Sequence, residues 1–189
     1  DGTNVLKTRF SGPEGVLAVT DLMPLAGDLR QPGTSSTRPE IHRILECEDG
    51  EVLVDVEWSP RFDYGRILPR IRTAGRGWFA SGGNQGLSLS PLEEGRLRDE
   101  GRGYILRARF RMESGDRRAL VVRWNTEETE YTLREADETL QQTAAAWRAW
   151  AFTTSDAAGW AGSYHPLLLR SKLVLKLLDH AESGAIVAA

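Results

Sequence analysis

Four side chains that could bind a polar partner lie close together in one short segment of the chain. Arg61, Asp63, Tyr64 and Arg66 follow directly after Pro60. A guanidinium binds carboxylate and hydroxyl oxygens, and a tyrosine offers a flat apolar ring with a polar tip. Three interpretations stay open: a strand-end turn stabilised by its own Arg–Asp pairing, a contact with another domain, or a direct contact with the hydroxyl groups of a ligand.

The six tryptophans are further candidates, because a flat aromatic face can stack on a ligand ring. Trp58 and Trp124 lie in strand patterns, and Trp147 lies on the apolar stripe of a helix. These three are expected in the core or at an interface. Trp78, in a Gly-rich stretch, and Trp160, in a link between helices, are better candidates for another role.

No metal, cofactor or phosphate site is predicted. The three histidines, His42, His165 and His180, lack the spacing of metal ligands, and no cysteine accompanies them. The Gly-rich segment 82–86 lacks the Lys-Ser/Thr of a phosphate loop, so it is expected to be a hairpin turn. Cys47 has no evident base partner in the sequence and is expected to be a small strand residue.

The composition excludes several classes of partner. The formal net charge is -3, so we expect no nucleic acid, and the arginines that alternate along 107–111 are expected on a solvated strand face. No apolar run reaches the roughly 20 residues that span a bilayer, so no membrane association is expected. The single Cys47 cannot form an internal disulfide, which favours a reducing, cytoplasmic location.

Residues 1–132 have the pattern of a β protein. Residues 41–48 and 51–58 are two apolar-rich runs joined by Asp49-Gly50, which predicts a hairpin with a type I′ turn. Short strands with turn signals between them are typical of an antiparallel sandwich. The other predicted strands begin near Val5 and span 16–20, 77–81, 86–90, 103–112 and 119–124, and 24–39 reads as a loop.

The periodicity becomes helical after Tyr131. A helix is predicted from Leu133 to about Phe152, with an apolar stripe of Ala136, Leu140, Ala144, Trp147 and Ala151. A second helix is predicted over 166–181, with Gly184 just after its end. It is apolar on nearly every side, so it must be covered all round. We therefore expect a fragment of a longer protein, which self-associates through the exposed helix 166–181 when isolated.

Three stretches resemble glycoside hydrolase family 15, the bacterial and archaeal glucoamylases and trehalases. They are Val19-Thr20-Asp21-Leu22-Met23-Pro24, then Arg61-Phe62-Asp63-Tyr64-Gly65-Arg66, and finally residues 169–178 followed by Ser183-Gly184-Ala185-Ile186-Val187-Ala188-Ala189. The resemblance implies an antiparallel β-supersandwich followed by two α-helices. Residues 1–132 would be the sandwich, incomplete at its start, 133–159 a helical linker, and 160–189 the beginning of an (α/α)6 catalytic barrel.

The family hydrolyses α-glucosidic bonds with inversion, using two glutamates, one as acid and one as base. No acidic residue of this chain lies in a matching context, so no catalytic residue is assigned and the fragment is expected to be inactive alone. The resemblance implies that carbohydrate binds to the missing barrel. The segment at Arg61 would extend toward the open end of that barrel or stabilise the interface between the two domains. The alternative is an autonomous carbohydrate-binding or structural β-sandwich module without hydrolase activity.

Overall fold

The computed structural model describes residues 2–26, 29, 36–37, 39–101, 103–155, 161–180 and 183–186. The protein is mainly β, with antiparallel strands and two helices, as predicted. Two compact units are present: residues 7–21 with 39–136, and residues 1–6 with 22–38 and 137–189. No described helix has the length and apolarity required to cross a bilayer.

Eleven strands are present in the described residues. The main order is β1-β2-β5-β11-β8-β7-β6, while β10 and β9 branch from β5 to form a second layer. The pairs β5–β10, β5–β11, β7–β8 and β9–β10 are antiparallel. Their bounds are β1 Leu6–Ser11, β2 Gly15–Leu22, β3 Leu25–Ala26, β4 Ser36–Thr37, β5 Glu40–Trp58, β6 Arg70–Ala74, β7 Gly77–Gly82, β8 Gln85–Ser90, β9 Arg96–Asp99, β10 Tyr104–Glu113 and β11 Arg117–Trp124.

The predicted hairpin at Asp49-Gly50 is wrong, because β5 is one bent strand. Residues 40–46 pair with β11, and residues 51–58 pair with β10. Gly50 has φ +64° and lies where the strand passes from one layer to the other. The N–H of the next residue, Glu51, donates to the Glu14 carbonyl at 2.9 Å. The positive φ that favours an Asp-Gly turn here makes a corner between layers instead of a reversal.

The core lies between the inner faces of the two layers. In β10, Leu106, Ala108, Phe110 and Met112 are buried, as the alternation predicted. They pack against a set contributed by the first layer and by the second half of β5, namely Val19, Leu45, Cys47, Val54, Trp78, Leu89 and Leu120. On the outer face the arginines of β10 pair with acids of β5: Arg107 with Glu57, Arg109 with Asp55 and Arg111 with Glu51.

Helix α1 runs from Leu133 to Ser155 and buries the predicted stripe at Ala136, Ala144, Trp147 and Ala151, with Leu140 half-buried. A capping box begins the helix. The Glu135 N–H donates to the Thr132 hydroxyl at 3.2 Å, and the Thr132 N–H donates to the Glu135 carboxylate at 2.7 Å. These hydrogen bonds from Thr132 lower the pKa of Glu135.

Helix α2 is shorter than predicted and runs from His165 to Leu177, with Pro166 in its first turn. The N–H groups of Leu178 and Asp179 close the last turn on preceding carbonyls. The His180 N–H then bonds to the Ala185 carbonyl, and Gly184, at φ +68°, lies in that reversal rather than next to the helix end. Within its unit, Leu173 of α2 packs with Leu29 and Trp147.

Candidate functional site

The predicted polar segment is a tight turn held by one buried ring. A 3-10 turn spans Asp63–Gly65, and a β-bridge joins Phe62 to Ile67 on either side of it. Phe62 is 2% exposed and packs over Gly82, where a Cβ would stand 2.5 Å from the Phe62 ring. The turn is therefore anchored to the end of β7 by Phe62.

Three of the four predicted site residues meet at the tip of this turn. The Arg66 Nη1 atom lies 3.3 Å from Asp63 Oδ1, and the Arg66 guanidinium lies 5.7 Å from the centroid of the Tyr64 ring. Arg61 instead donates to the adjacent Pro60 carbonyl at 2.9 Å. The Arg–Asp pairing predicted for a strand-end turn is thus present, between exposed side chains.

The tip of the turn has a strained backbone. Asp63 and Tyr64 have φ values of +47° and +53°, a left-handed region that costs a non-glycine residue roughly 1–2 kcal/mol. Tyr64 is 95% exposed. Two consecutive strained residues with an exposed ring are features found at binding sites. The turn presents an aromatic face beside a guanidinium, which suits stacking on a ring or contact with another protein surface.

A second polar group, which the sequence analysis missed, is buried against the first layer. His42, which is 2% exposed, lies between Glu40 and Tyr131. His42 Nε2 is 2.8 Å from Glu40 Oε2, and His42 Nδ1 is 2.5 Å from the Tyr131 hydroxyl. In the neutral ring, Nε2–H donates to the carboxylate and Nδ1 accepts the hydroxyl proton.

Arg123 completes this buried group. Its Nε lies 3.3 Å from Glu40 Oε1, and its Nη1 and Nη2 atoms donate to the carbonyls of Glu128 and Glu130. Its guanidinium also lies 5.2 Å from the Tyr131 ring centroid. The group therefore fixes residues 128–131 to the sheet. One signal was available in the sequence, since a Glu and a His two apart in a strand share a face.

The tryptophans are mainly structural. Trp78 is 8% exposed, and its Nε1–H donates to the Leu92 carbonyl at 2.8 Å, so the expectation of another role for it is wrong. Trp58 packs against the sandwich core, and Trp147 is buried in α1. Trp124 is partly exposed, 6.3 Å from Phe62 between ring centroids. Trp160 lies outside the described residues.

Among the residues that the structure describes, no group of three or more His, Cys, Asp or Glu side chains is placed to hold a metal ion. Cys47 is fully buried, with its Sγ 3.5 Å from the Asp49 carbonyl oxygen. It packs in the sandwich core as the small strand residue that was predicted.

No family model matches the chain. Over nearly its whole length, however, the chain is similar to curated proteins named trehalase. That of Thermoplasma volcanium is 29% identical over 195 residues, covering 99% of this chain and 28% of its own length. That of Mycolicibacterium smegmatis is 28% identical over 212 residues, covering 100% of this chain and 30% of its own. The chain thus spans less than a third of the length of these relatives.

Among solved structures, the chain is similar to one described as a kojibiose phosphorylase from the human microbiome. The TM-score is 0.36 at 11% identity, covering 74% of this chain and 20% of that one. A score this low does not establish a shared fold.

Proposed function

We propose that this chain is the non-catalytic N-terminal portion of an inverting α-glucoside hydrolase of family 15, which releases glucose from trehalose or α-linked oligosaccharides. The observation that carries the proposal is the similarity to trehalases, which runs through 99% or more of this chain but covers at most 30% of theirs. In this proposal the hydrolytic residues belong to the remainder of a longer polypeptide.

Two carboxyls of the sandwich, those of Asp55 and Glu48, do not match the general acid of such a hydrolase. An inverting hydrolase needs a general acid with a raised pKa, and a second carboxyl roughly 6.5–9.5 Å away. Hydrogen bonding to Arg109 lowers the pKa of Asp55, and hydrogen bonding to Lys7 and Arg9 lowers the pKa of Glu48. These carboxyls are shifted in the direction opposite to that of a general acid.

The strained turn has a place in the same proposal. Tyr64 and Arg66 stand exposed and close together, and Asp63 fixes Arg66 by an ion pair. We propose that this turn, together with Arg61, contacts the catalytic domain or the sugar bound there. An aromatic ring stacks on the CH face of a pyranose, while a guanidinium binds its hydroxyl groups.

Sequencing the coding DNA on both sides of this segment tests the proposal directly. We expect one open reading frame that continues after Ala189 into helical repeats with two widely separated glutamate motifs. The encoded protein should release glucose from trehalose or maltose, and residues 1–189 alone should release none. A reading frame without such repeats, or a complete protein inactive on every α-glucoside tried, would refute the assignment.

The exposed Tyr64 also favours a second candidate, an autonomous carbohydrate-binding module. Calorimetric titration of residues 1–189 with maltose and trehalose separates the two. A Kd of about 1 mM or tighter that is lost in Tyr64→Ala would support the module. Absence of binding by the isolated chain, together with hydrolysis by the complete protein, would support the scaffold.

A further inference from the structure

The first layer of the sandwich continues past β5 with β2, whereas the second layer, in the described residues, ends at β5. The Asp21–Arg43 ion pair, with 2.7 Å between Oδ1 and Nε, places β2 along the first half of β5, in the first layer. In the other layer, residues 51–58 of β5 pair with β10. The sheet order of the described residues gives them no strand on their other side. Apart from the Glu51 N–H, which donates to the Glu14 carbonyl, this side of β5 is therefore a free edge whose backbone N–H and C=O groups can pair with a further strand.

An apolar groove runs along this free edge. One part, of about 400 Å³, lies between the inner face of β1 and β2 and residues 54–57 of β5. A second part, of about 450 Å³, continues past the turn 11–15 to residues 51–53. Phe10 and Leu17 line both parts, so the two parts adjoin at these side chains. Phe10 is 57% exposed although it shares the inward-facing side of β1 with Thr8.

An extended polypeptide has the shape that this groove can accept. Residues 51–57 line it over seven positions, and an added strand at roughly 3.3 Å per residue would follow the edge throughout. Its backbone would pair with β5, and every second side chain would cover Phe10 and Leu17. This is the arrangement by which sheets bind peptides through an exposed edge.

The charges along the edge restrict which strand fits. The outward side chains of β5 here include Glu51, Asp55 and Glu57. A second copy of the same edge, paired antiparallel, would place these acids beside one another, and like charges on facing strands are destabilising. Lysines or arginines at the outward positions of an added strand would instead give each acid a second cationic neighbour.

We propose that this groove binds an extended polypeptide strand whose inward apolar residues cover Phe10 and whose outward lysines or arginines face Asp55 and Glu57. The occupant is a strand of this alternating basic and apolar composition, not a second copy of the chain. The proposal rests on the sandwich alone and is independent of any hydrolase activity.

Two fluorescent peptides of about eight residues test this on residues 1–189, one alternating valine with lysine and the other valine with glutamate. Binding is measured by anisotropy at low salt. Hydrogen exchange maps the amides that become protected. Phe10→Ser removes the groove's most exposed ring, and Leu68→Ser, at a 54% exposed position outside the groove, is the matched control.

We expect the lysine peptide to bind about tenfold more tightly than the glutamate peptide, with new protection at the amides of residues 53, 55 and 57, which point away from β10. Phe10→Ser should weaken binding about fivefold or more, and Leu68→Ser should leave it unchanged. Equal affinity for the two peptides, no binding, or protection elsewhere would overturn the proposal. A dimer of the free chain that Phe10→Ser abolishes would also overturn it, by showing that a second copy occupies the groove.

Discussion

The buried group around His42 joins residues that are far apart in the chain. The Tyr131 hydroxyl lies 2.5 Å from His42 Nδ1 across 89 positions of sequence. Tyr131 is 4% exposed, so water cannot readily replace its hydroxyl. A polar atom that loses its partner in such a place costs about 1–3 kcal/mol. The group therefore stabilises the attachment of residues 128–131 to the sheet.

Replacing Tyr131 by phenylalanine removes this hydroxyl and keeps the ring. We expect Tyr131→Phe to lower the free energy of unfolding by about 1–3 kcal/mol, measured by urea denaturation. Tyr104→Phe is the control, because Tyr104 is 48% exposed and should change stability by less than about 0.5 kcal/mol. Equal stabilities of the two variants would show that the hydrogen bond contributes nothing.

The ion pair between Asp55 and Arg109 gives a prediction about pH. Its two hydrogen bonds, 2.6 and 2.9 Å long, lower the pKa of Asp55. A carboxyl whose pKa is lower in the folded state stabilises the fold at neutral pH. That contribution is lost as the pH falls through the folded pKa. We expect Arg109→Leu to raise the pKa of Asp55 toward its ordinary value, which carboxyl carbon NMR titration measures.

The matched control for this titration is Arg9→Leu. Arg9 lies 2.6 Å from Glu48 and contributes to lowering the pKa of that carboxyl. The Arg9→Leu variant should raise the pKa of Glu48 and leave the pKa of Asp55 unchanged. A wild-type Asp55 that already titrates at its ordinary value would contradict the observed geometry. Added salt should weaken both effects, because the two pairs are exposed.

At the scale of elements, the bend in β5 decides the architecture. Gly50 lies against the hairpin that precedes β2, and a Cβ there would stand 2.1 Å from the Glu14 carbonyl oxygen. Its φ of +64° also disfavours a side chain. The corner is therefore specified twice, by backbone conformation and by close approach of a second chain segment.

Gly50→Ala and Gly101→Ala separate these two requirements. Gly101 has φ +73°, but nothing lies within 4 Å of its Cβ position. Gly101→Ala should cost only the backbone term, roughly 1–2 kcal/mol. Gly50→Ala should cost a further 1–3 kcal/mol or so, since the clash must be relieved by moving Glu14. Thermal and urea unfolding measure the difference, and equal costs would mean that the contact with Glu14 relaxes freely.

Elements with strong alternation were predictable from the sequence, and two short polar strands at sheet ends were not. β10 was predicted because buried Leu106 and Phe110 alternate with exposed arginines. β6 and β9 were missed, since each is a short strand at a sheet end, and an edge strand with only one neighbour can remain largely polar. The corner at Gly50 was read as a hairpin because Asp-Gly supplies positive φ to either structure.

For the whole molecule, the candidate turn was predictable and the buried polar group was not. Asp63, Tyr64 and Arg66 are neighbours in sequence, so their proximity needed no knowledge of the fold. The contact between His42 and Tyr131 depends on how the segment after β11 returns over the sheet. Local patterns carry no information about such a long-range return, although the shared face of Glu40 and His42 was readable.

The apolar surface of α2 gives the last prediction. Leu167 is 66% exposed and Val174 is 44% exposed, and residues seven apart lie on one face of a helix. We propose that the isolated chain self-associates through this face, since exposed apolar patches favour association. Sedimentation velocity over about 5–200 µM should show oligomers whose fraction rises with concentration.

The double variant Leu167→Lys with Val174→Lys tests that face, because two ammonium groups there cannot be buried in an apolar contact without a large desolvation cost. We expect it to sediment as a monomer throughout the same range. Leu68→Lys with Tyr104→Lys, at positions 54% and 48% exposed on the sandwich, adds the same charge elsewhere and should leave the oligomers intact. If both double variants dissociate the oligomers equally, net charge rather than α2 controls association. A wild-type chain that stays monomeric at every concentration would contradict the proposed self-association.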